Sequence, residues 1–323
     1  MDARRRRTAG PRRAIIRIVA FTFIQRIDGY AMLPQKIIDE LIETSTFRRN
    51  VYNMVPENST RVLDFGCGNG SLLLRLQRDK NCTELYGIEL DAAESKYVEL
   101  AIEKVWRINI EHDLGELNNY KGYFNYIILH DAIEHLYDPW FTLTKIRALL
   151  TEDGKIIIAT PNIHHWRLQY QIHKGLFPYG PGLWHTGHLR WYTPISLLEL
   201  LILGGLSIND IFLEIPDKVD FKYLASKKEL KTIQIPPLEF AGQKGYEEYK
   251  DIITVTYEKD IKRYYPVFYA HKIIAHCGKG DLLFEPTPMT YNCPMLESLR
   301  KAINLPFDIY NPPAMRPLIG NWS

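Results

Sequence analysis

Short apolar runs alternate with stretches of helical spacing along most of the chain. The runs predict seven strands, at 61–65, 84–90, 107–110, 124–129, 155–159, 207–215 and 267–277. Helices are expected at about 71–78, 92–105, 140–150 and 194–203. Because helices separate most of the strands, the pattern indicates a parallel sheet with right-handed crossovers. We predict an α/β fold, a Rossmann-like, doubly wound seven-stranded sheet that is mostly parallel with one antiparallel strand.

The same pattern divides the chain into three parts. Residues 1–50 hold a basic leader and N-terminal helices, and residues 51–277 hold the predicted sheet domain. That domain carries a charged, weakly periodic insertion at about 217–264. Residues 278–323 form a proline-rich tail that we expect to be irregular. Functional residues are therefore sought within the sheet domain.

Composition is that of an ordinary globular protein, with 46% apolar and 24% charged residues. The four cysteines, at 67, 82, 277 and 293, lack the paired spacing of metal-binding motifs. Reduced thiols in a cytoplasmic protein are therefore the expectation. The apolar run at 14–24 is interrupted by Arg17 and is too short to span a bilayer. No membrane span and no targeting segment are predicted, and the oligomeric state stays open.

The net charge of +2 conceals an uneven distribution. Residues 1–17 carry seven arginines and one aspartate, so this arm has a charge of +6 and the remainder −4. Such an arm suits nucleic acid or an anionic membrane. The alternative, which we favour, is a leader or an extension ahead of a start at Met32. Nucleic acid therefore remains a partner to be tested.

The first predicted strand runs directly into a glycine-rich turn. Residues 62–70 read Val-Leu-Asp-Phe-Gly-Cys-Gly-Asn-Gly, which places Asp64 just before the turn. Glycines let the backbone turn tightly and approach a ligand that a side chain would block. Glu89 ends the second strand, where its carboxylate can accept hydrogen bonds from both ribose hydroxyls. Together these features predict a nucleoside site.

The spacing of the glycines separates two classes of nucleoside. A dinucleotide motif reads G-x-G-x-x-G and leaves room for a pyrophosphate, whereas this turn reads G-x-G-x-G. The carboxylate of Asp64 would repel a diphosphate but can pair with the ammonium of an amino-acid-bearing nucleoside. The turn resembles motif I of the class I S-adenosylmethionine (SAM) methyltransferases. The resemblance implies SAM as cofactor, bound by Asp64, Gly66, Cys67, Gly68, Glu89, Leu90, Asp113 and His130.

Asp113 has two interpretations. It stands where the acid after strand three commonly binds the adenine amino group in that family. A helix N-cap explains an aspartate at this position equally well.

The segment Asp131-Ala-Ile-Glu134-His135 follows the fourth predicted strand and permits three interpretations. His135 can act as general base, since an imidazole titrates near neutrality. Alternatively, Asp131, Glu134 and His135 can be ligands of a divalent metal such as Mg²⁺ or Zn²⁺. In the third, Glu134 caps a helix and His135 packs under the cofactor.

Seven of the ten histidines lie between residues 130 and 188. We expect the segment after the fifth strand to cover the acceptor, and aromatic walls with a few titratable groups are typical of such pockets. His135 and His188 are the predicted catalytic residues. Arg190 can hold an anionic acceptor or form an internal salt bridge.

Three short motifs resemble one branch of the family. Pro161-Asn162, Gly175-x-Phe-x-Tyr179 and Gly182-Leu-x-x-x-x-His188-Leu-Arg190 look like bacterial and archaeal methyltransferases of glycan and O-antigen biosynthesis. The resemblance covers about residues 50–215. It implies methylation of a hydroxyl of a sugar, a glycan or another small molecule by in-line transfer. The branch more often carries Leu-Asp where this chain has Trp184-His185, so the acceptor stays open.

A second resemblance is to small-RNA 2′-O-methyltransferases, which hold Mg²⁺ on a terminal ribose. Here the ligands would be Asp131, Glu134, His135, His185 and His188. The ubiquinone-pathway O-methyltransferases share a similar acid cluster. This resemblance implies a metal-dependent enzyme acting on RNA, with a use for the arginine arm. A SAM-binding protein without catalysis is the remaining alternative.

Overall fold

A computed structural model describes residues 25–27, 30–215 except 113, 174, 178 and 181, and then 232–233, 255–256, 267, 270–282 and 316–319. The chain splits into two compact units, one up to Ile108 and one from Asn109 onward. No helix in the described ranges is long and apolar enough to cross a membrane.

The first unit is built on a parallel three-stranded sheet. Its elements are β1 (Gln25–Ile27), β2 (Tyr30–Met32), α1 (Gln35–Thr44), α2 (Arg49–Met54), β3 (Thr60–Phe65), α3 (Ser71–Lys80), β4 (Thr83–Ile88), α4 (Ala92–Ser95) and β5 (Lys104–Trp106). Strand β4 pairs in parallel with β3 on one side and β5 on the other. Strands β1 and β2 form a short antiparallel pair.

Apolar residues at helical spacing hold α1 on α3. Ile37, Leu41 and Ile42 are buried in α1 and cluster with Leu74 of α3. Asn81 is the C-cap of α3, and its φ of 53° is the left-handed conformation common at helix C-termini. The packing of α1 positions the segment that follows it.

Among the described residues, the second unit contains five strands that pair in one mixed sheet and a separate two-stranded pair. Its elements are β6 (Phe124–His130), α5 (Pro139–Leu149), β7 (Leu150–Pro161), α6 (Trp166–His173), α7 (Pro194–Leu203), β8 (Leu206–Ile215), β9 (Thr232–Ile233), β10 (Val255–Thr256), β11 (Lys272–Lys279) and β12 (Arg316–Ile319). Strands β6 and β7 are parallel, β11 is antiparallel to both β7 and β8, and β12 is parallel to β8. Strands β9 and β10 form a separate antiparallel pair.

Local sequence signals explain where the helices of this unit begin. Asp138 accepts a hydrogen bond from the Phe141 N–H at 3.1 Å, and Pro139 follows it at the first helical position of α5. Thr193 and Ser196 form a reciprocal capping box before α7.

The predicted fold class is confirmed. The fold is α/β and Rossmann-like, and β11 is the antiparallel strand among the described strands that match the seven predicted ones. Strand β12, at the edge beside β8, lies in the tail that was expected to be irregular. Most of the insertion and of the tail lies outside the described residues.

Several predicted elements differ in extent: β7 begins at Leu150 rather than at 155, and β11 begins at Lys272 rather than at 267. Strand β5 occupies 104–106 rather than 107–110, because Trp106 is buried and stacks on Tyr86 of β4 with 5.6 Å between ring centroids. The helix expected over 92–105 is one turn, α4, followed by a 3₁₀ turn at Val98–Leu100. Val98 is fully buried there, so tertiary packing overrides the helical propensity of the segment.

Candidate functional site

The glycine turn after β3 is tight and bonded to the next strand. The N–H groups of Gly66 and Cys67 both donate to the carbonyl oxygen of Ile88, at 2.9 and 3.1 Å. Gly66 and Gly70 each have a φ of 75°, which favours glycine. A Cβ on Gly70 would also lie 2.0 Å from Cγ2 of Val98. Glycine is thus required at Gly70 by both backbone conformation and packing.

Glu89 is held in position by the backbone beside this turn. The N–H of Gly68 donates to its Oε2 and the N–H of Asp91 to its Oε1, each at 2.9 Å. Each carboxylate oxygen keeps a further lone pair, so both can accept a ribose hydroxyl. A Cβ placed on Gly68 would meet nothing within 4 Å. Open space beside a fixed carboxylate is what a nucleoside needs.

Asp64 is a fully buried carboxylate at the end of β3. Neither of its oxygens has a hydrogen-bond partner among the described residues, and Nη1 of Arg48 lies 3.9 Å from Oδ2. Burial raises the pKa of Asp64 to about 6, with Arg48 opposing the shift and Glu89 adding to it. A buried carboxylate without hydrogen bonds is costly. The arrangement fits the cationic group of a ligand.

For three other predicted cofactor residues, Cys67, Leu90 and Asp113, contact with the cofactor stays a prediction. Cys67 is buried, and a Cβ on Gly87 would lie 2.6 Å from its Sγ, so its thiol packs between the strands. Burial raises the pKa of this thiol well above its usual range. Leu90 is 63% exposed beside Glu89. Asp113 lies outside the described residues.

In the second unit, His130 and Asp131 at the end of β6 are engaged by Lys272. The Lys272 ammonium bonds to Asp131 Oδ2 and lies 3.4 Å from His130 Nε2, while His130 Nδ1 lies 3.2 Å from the same carboxylate oxygen. Burial opposes ionisation of Asp131, but His130 and Lys272 together hold its pKa below the usual range. Asp131, which was predicted as a metal ligand, therefore forms an ion pair with Lys272.

Glu134 is buried at the 3₁₀ turn Ile133–His135. Thr160 Oγ1 donates to its Oε2 at 3.0 Å, and its Oε1 has no hydrogen-bond partner among the described residues. Burial, reinforced by the charge of Asp131, raises the pKa of Glu134 to about 7. Nε2 of His188 lies 4.0 Å from the unpaired Oε1. An acid that titrates near neutrality thus faces an imidazole.

Three imidazoles converge beside Glu134. One ring nitrogen from each of His135, His185 and His188 lies within 4.8 Å of the other two. The ring centroids of His135 and His188 are 4.7 Å apart. This group, which we call the histidine triad, contains both histidines predicted to be catalytic.

Backbone contacts fix the tautomers of the triad. Nδ1 of His135 lies 2.9 Å from the Gly187 carbonyl oxygen, and Nδ1 of His188 lies 2.8 Å from that of Leu183. A carbonyl only accepts, so in the neutral rings Nδ1 carries the proton and Nε2 is a free acceptor. In His185 the assignment is reversed, because Nδ1 accepts the Gly187 N–H at 3.1 Å. Burial lowers the pKa of His188, which keeps its ring neutral.

Main-chain hydrogen bonds attach the loop that carries His185 and His188. The N–H groups of Leu189 and Arg190 both donate to the Glu134 carbonyl oxygen, at 2.8 and 3.0 Å. Arg190 also donates from Nη2 to the Tyr137 carbonyl oxygen at 2.5 Å. The guanidinium of Arg190 therefore helps to hold the loop, and binding of an anionic acceptor by this residue stays a prediction. The triad is consequently built on a fixed segment.

None of the other histidines of the 130–188 segment whose side chains the structure describes joins the triad. His165 packs against His271 with 4.7 Å between ring centroids. Burial lowers the pKa of His164. Three of the seven histidines of this segment, those at 135, 185 and 188, therefore converge.

Two residues of these sites were missed by the sequence interpretation: Arg48 and Lys272. Thr160 directly follows the fifth predicted strand, at the edge where ligands bind, and that position makes it identifiable from the sequence. Lys272 and Arg48 carry no local motif.

Comparison with known proteins decides the family. A family model for a methyltransferase domain matches residues 33–208, more than half of the chain. The chain belongs to this methyltransferase family. The match spans the glycine turn, Glu89, Glu134 and the histidine triad.

The following relatives of this methyltransferase are distant from it in sequence. An uncharacterized methyltransferase of Mycobacterium tuberculosis is 27% identical over 158 residues, which cover 46% of this chain and 77% of the relative. N-methyltransferase 4 of Papaver somniferum is 24% identical over 161 residues, covering 45% of this chain and 44% of that protein. The crystal structure of a SAM-dependent methyltransferase from Archaeoglobus fulgidus has a TM-score of 0.48 at 16% identity, covering 75% of this chain and 94% of that one.

The residues of the first unit fit SAM as the cofactor of this methyltransferase. Asp64 presents two unpaired buried oxygens for its ammonium, and Glu89 presents free lone pairs for its ribose. The protein is a SAM-dependent transferase.

Proposed function

We propose that this methyltransferase acts on a hydroxyl oxygen of a sugar, a glycan or another small molecule, and that His188 or His135 takes the hydroxyl proton. The observation that carries the proposal is the pair of imidazoles whose Nδ1 atoms bond to backbone carbonyls and whose Nε2 atoms are free acceptors. When bound, SAM supplies an electrophilic methyl group. A hydroxyl is a poor nucleophile until its proton is removed, and a positioned base contributes about 10²- to 10⁴-fold.

Glu134 supports His188 as the stronger of the two candidates. Its Oε1 has no hydrogen bond and lies 4.0 Å from Nε2 of His188. Once His188 holds the proton, a carboxylate at this distance stabilises the imidazolium. Because Glu134 faces the proton-accepting nitrogen itself, its role is to stabilise the charge that forms there, while the Leu183 carbonyl oxygen orients the ring.

Aromatic side chains around Trp184, which directly precedes His185 of the triad in sequence, suit a ring-shaped acceptor. The ring of Phe177 lies 4.1 Å from that of Trp184 and 5.4 Å from that of Trp191, measured between centroids. Phe177 and Tyr179 are 41% and 68% exposed. Exposed rings next to polar groups can pack on the apolar face of a sugar while its hydroxyls are hydrogen-bonded. This supports the acceptor class implied by the resemblance to glycan methyltransferases.

An amine is the competing acceptor, since two relatives from Papaver somniferum and Eschscholzia californica are named N-methyltransferases. A neutral amine already has a lone pair for the methyl group and needs less help from a base. His135 and His188 each keep Nε2 free to accept a proton, and this supports a hydroxyl oxygen as the methyl acceptor.

The test is an assay of the full chain with methyl-labelled SAM and matched acceptors. Sugars and nucleotide sugars are compared with their amino-sugar counterparts, and mass spectrometry identifies the methylated atom. We expect O-methyl products, and a rate at least 100-fold lower for His188→Asn or His135→Asn with SAM affinity unchanged. His276→Asn, in the middle of β11, is the control and should keep full activity. Methylation of the amines alone, or full activity in both triad variants, would overturn the proposal.

A metal-assisted reaction is a second candidate, favoured by the convergence of three imidazoles within 4.8 Å. Nitrogen donors suit Zn²⁺, Ni²⁺ and Co²⁺ better than Mg²⁺. His135 and His188 also bond through Nδ1 to backbone carbonyls, as metal-binding histidines commonly do. The resemblance to the RNA methyltransferases implied Asp131 as one of the metal ligands. In this structure the Asp131 carboxylate is paired with Lys272. A metal would occupy the Nε2 lone pairs that the base requires, so the two candidates exclude each other.

A further inference from the structure

The pair formed by Arg48 and Asp64 in the first unit has no role in acceptor chemistry. We infer that Arg48 binds the carboxylate of the methionine portion of SAM while Asp64 binds its ammonium. The inference rests on SAM as cofactor and is independent of whether the acceptor atom is oxygen or nitrogen.

The two side chains are close without satisfying each other. Nη1 of Arg48 lies 3.9 Å from Oδ2 of Asp64, which is too long for a hydrogen bond. Asp64 is 0% exposed and both of its oxygens lack partners among the described residues. The Arg48 side chain is 25% exposed, and its guanidinium carries five N–H donors. An anion and a cation with unused hydrogen-bonding capacity therefore stand side by side.

The methionine portion of SAM has the complementary arrangement. Its ammonium and carboxylate are attached to one carbon atom, so a positive and a negative group are presented side by side. If the ammonium of SAM pairs with Asp64, the carboxylate of SAM lies beside Arg48. The planar guanidinium matches a carboxylate with two parallel hydrogen bonds. Binding would thus supply partners for both unsatisfied groups at once.

The segment that carries Arg48 is fixed to the glycine turn and to α3. Asn69, within the turn, donates from Nδ2 to Oγ of Ser45 at 2.7 Å. Arg75 of α3 donates from Nη2 to the Ile42 carbonyl oxygen at 2.5 Å. Arg48 directly precedes α2, three residues after Ser45. Its position beside Asp64 is therefore maintained by contacts on either side of the turn.

A purely structural role for Arg48 makes a different prediction. If Arg48 only neutralised Asp64, its removal would weaken every ligand that uses this site to the same extent. If it binds the carboxylate, its removal weakens only ligands that have one. Decarboxylated SAM separates the two cases, because it keeps the adenosine, the sulfonium and the amine but lacks the carboxylate.

The experiment is calorimetric titration of the full chain and its variants with SAM and with decarboxylated SAM, without acceptor. We expect Arg48→Gln to raise the Kd for SAM about 10- to 100-fold, the range for losing hydrogen bonds between charged groups. The Kd for decarboxylated SAM should change less than threefold. Asp64→Asn should weaken both ligands, since both carry the amine. Arg49→Gln, at the neighbouring position, is the matched control and should bind both normally.

Two results would overturn the inference: an unchanged Kd for SAM in Arg48→Gln, or an equal loss for both ligands. Arg48→Lys, which keeps the charge but loses the fork, should lie between wild type and Arg48→Gln for SAM alone. It provides the same comparison if the glutamine variant does not fold, which thermal unfolding will reveal. Because no acceptor is present, the outcome is separate from that of the O-methylation proposal.

Discussion

Glu134 and His188 form a buried acid–imidazole pair in which Oε1 of the carboxylate lies 4.0 Å from Nε2 of the ring. The opposite end of each group is already bonded. Thr160 donates to Oε2 of Glu134 at 3.0 Å, and Nδ1 of His188 lies 2.8 Å from the Leu183 carbonyl oxygen. The free atoms of the two side chains consequently face each other. Such an arrangement is suited to accept and hold one proton.

Replacing Glu134 by glutamine should slow methyl transfer at least about tenfold while leaving SAM affinity unchanged. The amide keeps the size of the side chain and a carbonyl oxygen for Thr160, but it cannot stabilise a protonated His188 by charge. The measurement is kcat at saturating SAM, with affinity determined by titration. Thr160→Val, which only frees the carboxylate to rotate, should cause a smaller loss. An unchanged kcat in Glu134→Gln would remove Glu134 from the reaction.

Replacing Asp64 by asparagine should stabilise the ligand-free protein at neutral pH. The pKa of Asp64 is raised to about 6 in the folded state against 3.8 as the ordinary value. Its contribution to stability is therefore fully present below pH 3.8 and is lost as the pH rises through 6. The asparagine variant avoids this loss, which by linkage is on the order of 3 kcal/mol for this fully buried group.

Urea denaturation of both proteins between pH 4.5 and 8 measures this effect. The stability advantage of Asp64→Asn should grow from pH 4.5 to about pH 7 and then level off. The exposed Asp153 provides the control, and Asp153→Asn should show no such trend. A variant that is less stable than wild type at pH 8 would mean that the Arg48 charge compensates Asp64 more fully than its 3.9 Å separation indicates.

Lys272 should stabilise the fold through Asp131, and the two residues should be coupled. Lys272→Met leaves Asp131 without its cation, at an expected cost of about 1–2 kcal/mol. The cost stays moderate because the Asp131 side chain is 38% exposed. Asparagine tolerates the left-handed φ of 54° at position 131. Asp131→Asn therefore removes the charge without straining the backbone.

A double-mutant cycle by thermal and urea unfolding tests the pair. Asp131→Asn combined with Lys272→Met should recover most of the stability lost in Lys272→Met alone. Lys279→Met, at the other end of β11 and paired with the exposed Glu152, should have little effect. Additive losses in the double variant would show that Lys272 stabilises the fold without Asp131.

Sequence pattern predicts this fold well where signals are local. The glycine turn, the acid before it and Glu89 lie within 26 residues of one another, and hydrogen bonds from the turn to the Ile88 carbonyl oxygen and to the Glu89 carboxylate hold them together. Strand β5 and the helix before it were misplaced because the burial of Val98 and Trp106, a tertiary effect, sets their limits. Helix and strand propensities of single residues do not report which side chains become buried by tertiary packing.

In the second unit, some contacts between residues far apart in sequence could not be predicted. Glu134, His135 and the histidines of the following loop could be identified because the fold class puts strand ends at one edge. Lys272 could not, since it is 141 residues from Asp131 and reaches it only because β11 runs antiparallel to β7 with Lys272 opposite Pro161. The tautomers of His135 and His188 depend on loop carbonyls that no residue pattern specifies.

Chelation and added metal should separate the two uses of the histidine triad. If the Nε2 atoms of His135 and His188 serve as proton acceptors, protein dialysed against EDTA keeps its activity. Added Zn²⁺ or Ni²⁺ should then inhibit, because the metal takes the same lone pairs. His185→Ala should relieve this inhibition while keeping most of the activity, since its Nδ1 already accepts the Gly187 N–H. Loss of activity on chelation, restored by one equivalent of metal, would instead make the triad a metal centre and favour the metal-assisted reaction.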